Sequence, residues 1–139
     1  MDKAELATLL QDQAPDAVIF AGTDGVIQTW NAAATRLFGH SQEEAVGQSL
    51  DLIIPERFRD AHWKGFDRAL ADGATKYSGQ ALPTRSETKD GKTIYVELTF
   101  AIVKDASGGV IGALAHARDI TERFLREREQ RQQAQQQQQ

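Results

Sequence analysis

The clearest pattern along the chain is the apolar residue at every second position from Ile94 to Ile102. A repeat of two residues predicts a β-strand with one buried face. After a turn, residues 110–117 predict a last strand that is rich in alanine and glycine. Residues 76–88 predict a strand before these two, with Pro83 at an edge or a bulge.

Near the N-terminus, two short β-rich runs at 18–21 and 26–30 are separated by Asp24 and Gly25. An Asp-Gly pair between apolar runs is typical of a tight hairpin, because the turn requires positive φ angles. We therefore expect an N-terminal hairpin and a C-terminal meander of three strands.

Helices are indicated by apolar residues at helical spacing and by the residue types that begin and end helices. Ser41 and Glu44 have the spacing of a capping box, and Asn31 and Thr121 are the expected N-caps of two other helices. The helices expected from these signals are 3–12, 32–38, a short one after Ser41, 56–71 and 122–131.

This order of elements predicts an α+β fold, in which a five-stranded antiparallel sheet carries short helices on one face. We expect an N-terminal amphipathic helix at 1–14, a central domain at 15–120, and an exit helix with a glutamine-rich tail at 121–139. The low-complexity tail cannot add to a core, so it is either disordered or the fraying start of a longer linker helix.

Composition narrows the class of protein. Of the 139 residues, 40% are hydrophobic and 26% charged, which is a globular balance, and the net charge is −4. Mixed charges without a basic stripe argue against nucleic acid as a partner, and no apolar run is long enough to span a membrane. The chain has no cysteine, which excludes disulfides, thiolate metal sites and cysteine nucleophiles. We expect a cytoplasmic protein.

Several segments, in this order and at this spacing, resemble the PAS family of sensory domains; they are 16–31, 33–50, 53–55, 89–91 and 118–123. The resemblance implies the PAS fold and a sensor or dimerisation module. It also implies that an output domain or partner protein receives the signal, and no such domain follows in this chain.

A cavity between the sheet and the long helix is expected from this architecture. Val96, Leu98 and Phe100 are expected to line one wall, and Ala113 and Ala115 on the last strand would leave room for a ligand. The alternative is that these alanines only allow a helix to pack closely, and the sequence favours neither interpretation.

His62 lies on the apolar stripe of the long helix, on the side of the expected cavity. Residues 55–68 resemble the haem-binding PAS domains of the rhizobial oxygen-sensor kinases, in which this helix carries the proximal histidine. The resemblance implies haem b bound through His62, and a neutral imidazole is a good axial ligand for haem iron. It also implies the sensing of a diatomic gas or of redox state. The other expected cofactor residues are Phe66, Leu70, Tyr77 and Leu82.

Leu82 stands where those sensors have the arginine that hydrogen-bonds bound O₂. A pocket without this donor would suit CO or NO rather than O₂, or would hold haem with a different sixth ligand on the iron. The alternative for His62 is a core histidine bonded to the backbone.

Lack of cysteine excludes flavin adduct chemistry, and a noncovalent flavin stacked on Trp30 or Trp63 is less favoured than haem. His40 is expected in a solvated loop.

The second hypothesis for the chain is a PAS domain that binds a small organic ligand, or none, and acts as a dimerisation and relay module. No catalytic motif occurs, so we do not expect an enzyme.

The resemblance implies that Asp119 and Thr121 form the hinge that passes the signal to the exit helix. Leu6, Leu9 and Leu10 form the apolar face of the first helix and are the expected homodimer contact.

Overall fold

A five-stranded antiparallel sheet forms the centre of the computed structural model, which describes residues 1–75 and 82–137. Its strands are β1 (Ala17–Gly22), β2 (Ile27–Trp30), β3 (Leu82–Glu87), β4 (Thr93–Lys104) and β5 (Val110–Asp119). Their order across the sheet is β2-β1-β5-β4-β3, so the first and the last strands along the chain are neighbours. The expected α+β fold is confirmed.

The helices are α1 (Lys3–Asp12), α2 (Ala32–Phe38), α3 (Gln42–Ala45), α4 (Arg59–Asp72) and α5 (Thr121–Gln137), with 3₁₀ turns at Leu50–Ile53 and Glu56–Phe58. The long helix expected at 56–71 therefore begins as a 3₁₀ turn. The exit helix continues past residue 131, as the linker-helix alternative predicted. The strand expected at 76–88 is observed from residue 82, and residues 76–81 lie outside the described part of the chain. Within the described residues, no helix is both long enough and apolar enough to cross a membrane.

The hydrophobic core lies between the sheet and the segments that follow β2. Apolar residues of the hairpin, of α2 and of β4 meet there because each element turns its apolar face inward. The largest completely buried apolar side chains are Trp30, Phe38, Ile27 and Val96.

Asn31 joins three elements through one buried side chain, which is 1% exposed. Its Oδ1 atom accepts hydrogen bonds from the backbone N–H groups of Val18 (2.9 Å) and Ala34 (3.0 Å). Its Nδ2 atom donates to the carbonyl oxygens of Gln11 (2.9 Å) and Asp16 (3.1 Å). The sequence predicted only the cap of α2, whereas the same amide also holds β1 and the end of α1.

Helix α4 is anchored at its first turns to the segment after β2. The indole Nε1 of Trp63 donates to the carboxylate of Asp51 (2.8 Å), and Nε of Arg59 donates to the carbonyl of Ile54 (3.0 Å). The ring of Trp63 lies against Gly25, where a Cβ atom would clash with the ring and where φ is +77°. Only glycine fits both conditions, so the Asp-Gly turn also positions α4.

The expectation that His40 is solvated is wrong, since His40 is only 8% exposed. The indole N–H of Trp30 donates to the carbonyl oxygen of His40 (3.1 Å), and the two rings meet edge to face. A buried tryptophan requires an acceptor for its N–H group, and this acceptor is the backbone at residue 40.

Replacement of Asn31 tests its role. In Asn31→Ala, helix α2 loses its cap and the buried N–H of Val18 loses its acceptor, so we expect the free energy of unfolding to fall by about 3 kcal/mol. Urea unfolding of the wild type and the variant measures this change. Ser41→Ala, which removes the exposed cap of α3, is the matched control with an expected loss of about 1 kcal/mol. Equal losses in the two variants would contradict the role assigned to Asn31.

Candidate functional site

A cavity of about 510 Å³ lies between one face of the sheet and the segment from Leu50 to α4. Its volume is within the range of roughly 300–1,000 Å³ that is typical of ligand pockets. Most of its lining is apolar. The described lining residues are Ile19, Ala21, Leu50, Ile53, Ile54, Phe58, Ala61, His62, Phe66, Pro83, Thr84, Arg85, Ser86, Leu98, Phe100, Ala113 and Ala115.

The floor of the cavity is one face of β1, β5 and β4. Strand register places Ile19 beside Ala115 and Ala21 beside Ala113, and Phe100 lies on the other side of Ala115. Because Ala115 on the middle strand carries only a methyl group, the floor is low between Ile19 and Phe100. Both alanines border the cavity in the structure.

The structure brings together most of the cofactor residues expected from the sequence, namely His62, Phe66, Leu98, Phe100, Ala113 and Ala115. Val96 is instead completely buried in the hydrophobic core, next to the cavity but not in its lining. Leu70 and Leu82 are partly buried and are not among the described lining residues. Tyr77 lies outside the described part of the chain.

His62 presents a neutral imidazole to the cavity. Its ring packs against those of Trp63 (4.7 Å between centroids) and Phe66 (5.9 Å). Burial lowers the pKa of His62, while the negative charges of Asp51 and Asp67 oppose this shift in part. Its Nδ1 atom is buried without a hydrogen-bond partner. A buried polar atom without a partner costs free energy, so this nitrogen does not stabilise the packing of α4.

Arg85 is a lining residue that sequence reasoning missed. It is the one lysine, arginine, aspartate or glutamate in the described lining, and its Nη2 atom donates to the phenol oxygen of Tyr95 (3.1 Å). On this edge strand the sequence analysis predicted Leu82 as a cofactor residue, whereas the described lining contains Pro83, Thr84, Arg85 and Ser86. A cationic donor is therefore present three residues after Leu82, where the resemblance suggested that none would be.

The two tryptophans are engaged elsewhere. Trp30 is 1% exposed in the core, and the indole N–H of Trp63 is bonded to Asp51. Neither ring belongs to the described cavity lining. Within residues 1–75 and 82–137, no group of three or more His, Cys, Asp or Glu side chains is arranged to hold a metal ion.

The junction between β5 and α5 has a different geometry from the expected cap. The backbone carbonyl of Ile120 accepts the first bond of the helix, from the N–H of Phe124 (2.7 Å), so Ile120 and not Thr121 is the N-cap. The carboxylate of Asp119 accepts from the backbone N–H of Thr121 (2.9 Å) and from its hydroxyl (2.6 Å). That hydroxyl accepts from the backbone N–H of Tyr95 (2.9 Å). The hydroxyl of Thr121 thus joins the helix to β4. Because the hydroxyl is used in this contact, it does not cap α5.

Residues 11–124 match the family described as PAS fold. The chain therefore belongs to the PAS family, a class of sensory modules, as the resemblance of its segments implied.

Two curated relatives are sensor proteins. The chain is 32% identical over 108 residues to the sensor protein FixL of Bradyrhizobium diazoefficiens, a match that covers 78% of this chain and 21% of that protein. It is 29% identical over 123 residues to the oxygen sensor protein DosP of Escherichia coli, covering 88% of this chain and 15% of that protein. The chain thus spans about a fifth or less of the length of these relatives.

Solved structures show the same fold at lower identity. The PAS domain of a protein from Colwellia psychrerythraea has a TM-score of 0.75 at 23% identity, with 87% of this chain and 99% of that chain covered. An RNA-binding light-oxygen-voltage receptor has a TM-score of 0.75 at 22% identity, with 95% and 37% covered.

The lowered pKa of His62 predicts a pH effect on stability. Since the folded-state pKa lies below the ordinary value of about 6.5, the unfolded chain binds a proton more readily, and stability falls as the pH decreases below about 6.5. The free energy of unfolding falls by at most about 1.4 kcal/mol per pH unit through this group, and well above pH 6.5 the effect is absent. Urea unfolding at several pH values should give a shallower slope for His62→Leu. An identical slope would contradict the assignment.

Proposed function

We propose that this PAS domain is a cytoplasmic haem-dependent sensor, in which His62 is the axial ligand of haem b, and that it senses a diatomic gas or redox state. The observation that carries the proposal is the imidazole of His62, with its lowered pKa, in the lining of an apolar cavity of about 510 Å³. The resemblance of residues 55–68 to haem-binding PAS domains and the relation to FixL and DosP support it.

The residues around the cavity suit a flat, apolar macrocycle. Phe66 and Phe100 offer aromatic surface, and Ala113 and Ala115 leave space above the sheet. When bound, haem supplies an iron atom that takes a gas molecule or a protein group as a further ligand. The chain's part is to keep His62 neutral, to hold its ring by contact with Phe66, and to limit the access of water.

A small organic ligand is the second candidate, and a different observation favours it. Apart from His62, the polar residues of the described lining are consecutive on β3, at Thr84, Arg85 and Ser86, along the sheet edge beside the apolar floor. Such a division suits a small amphipathic molecule. A noncovalent flavin is less favoured, because Trp30 and Trp63 do not contribute their rings to the described lining.

Haem reconstitution tests the main proposal. Addition of hemin to the purified protein should give a sharp, shifted Soret band, and His62→Ala should lose this shift and bind hemin at least tenfold more weakly, because the axial bond is gone. His116→Ala is the matched control, since His116 is exposed on the other face of β5. An unchanged Soret band in His62→Ala would contradict the proposal. A flavin spectrum, or an organic ligand found by native mass spectrometry, would favour the second candidate.

We also propose a homodimer that forms through α1. This helix buries none of its residues, and Leu6, Leu9 and Leu10 are 48%, 40% and 64% exposed. A row of exposed leucines is costly in water unless a partner covers it.

Charge on this face tests the dimer. Leu10→Glu should weaken self-association at least tenfold, as measured by sedimentation equilibrium, because it places a carboxylate in an apolar contact. Leu125→Glu, which alters an exposed leucine of α5, is the control and should have little effect. A wild type that stays monomeric at high concentration would contradict the proposal.

A further inference from the structure

Arg85 belongs both to the cavity and to the contact between the sheet and the exit helix. Arg85 is a lining residue on the edge strand β3, and its guanidinium carbon lies 5.8 Å from the ring centroid of Phe58, another lining residue. The same guanidinium donates to the phenol oxygen of Tyr95 and lies 5.5 Å from the centroid of that ring. A guanidinium has several N–H donors, so the bond to Tyr95 leaves others for a ligand.

Tyr95 is one of the points at which α5 contacts the sheet; the bond from Arg123 to Glu97 (2.8 Å) is another. Its ring stacks on Phe124 of α5, with 4.1 Å between the centroids and 19° between the planes. Its backbone N–H donates to the hydroxyl of Thr121 (2.9 Å). Tyr95 is only 8% exposed, so the ring keeps its place through packing rather than through Arg85.

A second arginine, Arg128 of α5, approaches the same phenol oxygen. The bond from Arg128 Nη1 is 3.4 Å long, near the limit for a hydrogen bond, whereas that from Arg85 is 3.1 Å. Two guanidinium groups that converge on one oxygen repel each other. Burial raises the pKa of Tyr95. The hydrogen bonds and positive charges of the two arginines lower this pKa by more, so it lies below the ordinary value. We read this geometry as competition for Tyr95.

We infer that Arg85 couples the cavity to α5: an acidic group on a bound ligand draws Arg85 away from Tyr95, which leaves the phenol to Arg128 and holds α5 more firmly on the sheet. The macrocycle of haem carries two propionates, which are groups of this kind. The ligand half of the inference rests on the proposed haem site. The competition between the two arginines stands without it.

Hydrogen exchange of the α5 amides in the ligand-free protein tests the competition. Arg85→Gln removes the competing charge and should slow exchange roughly two- to fivefold, the range expected of an exposed charged contact. Arg85→Lys keeps the charge and should behave as the wild type. Arg57→Gln is the matched control, since Arg57 lies over Phe58 (4.7 Å) and not at Tyr95, and it should have no effect.

The double variant provides the decisive comparison. If the two arginines compete, Arg85→Gln has no effect on α5 exchange once Arg128→Gln is present. Additive effects of the two changes, or faster exchange in Arg85→Gln alone, would overturn the inference.

Ligand dependence is tested with hemin and with hemin dimethyl ester, which lacks the free carboxylates. Hemin should slow α5 exchange in the wild type and not in Arg85→Gln, and the ester should not slow it in either. Equal slowing by the two compounds would overturn the role of the acidic group. If no Soret shift appears, the haem site fails while the ligand-free comparison still decides the competition.

Discussion

The four hydrogen bonds of the Asn31 amide are the constraint on which the rest of the structure depends. They fix the end of α1, the start of β1 and the first turn of α2 relative to one another. Because β1 is held in this way, Ile19 and Ala21 lie at the floor of the cavity. A buried amide with every bond satisfied stabilises one arrangement strongly, because any shift leaves donors or acceptors unpaired.

Local patterns in the sequence were sufficient where a residue's partner is close along the chain. Strand β4 and the capping box of Ser41 and Glu44 are confirmed, because each depends on spacing alone. Sequence reasoning failed at His40, Thr121 and Arg85, whose partners lie on other elements. For the cavity, the helix face that carries His62 was accessible from periodicity, whereas the contribution of the edge strand β3 required the fold.

Strand β4 serves two purposes because its faces have different surroundings. On one face, Leu98 and Phe100 form part of the cavity floor. On the other face, Tyr95 supports α5 through Phe124. The sequence predicted one buried face for β4, whereas the first half of the strand is buried on both faces. A strand that is covered on both faces can transmit a displacement from one to the other, since packed interiors deform little.

The adjacency of β1 and β5 has a consequence for how the protein forms. The ion pair between Arg118 of β5 and Asp16, the residue before β1, joins positions 102 apart, and the cavity floor needs both β1 and β5. Contacts so distant along the chain give a high contact order, which slows folding. During synthesis, one side of β1 therefore stays unpaired until β5, and so nearly the whole domain, has emerged from the ribosome. The cavity floor is complete only after that last strand is in place.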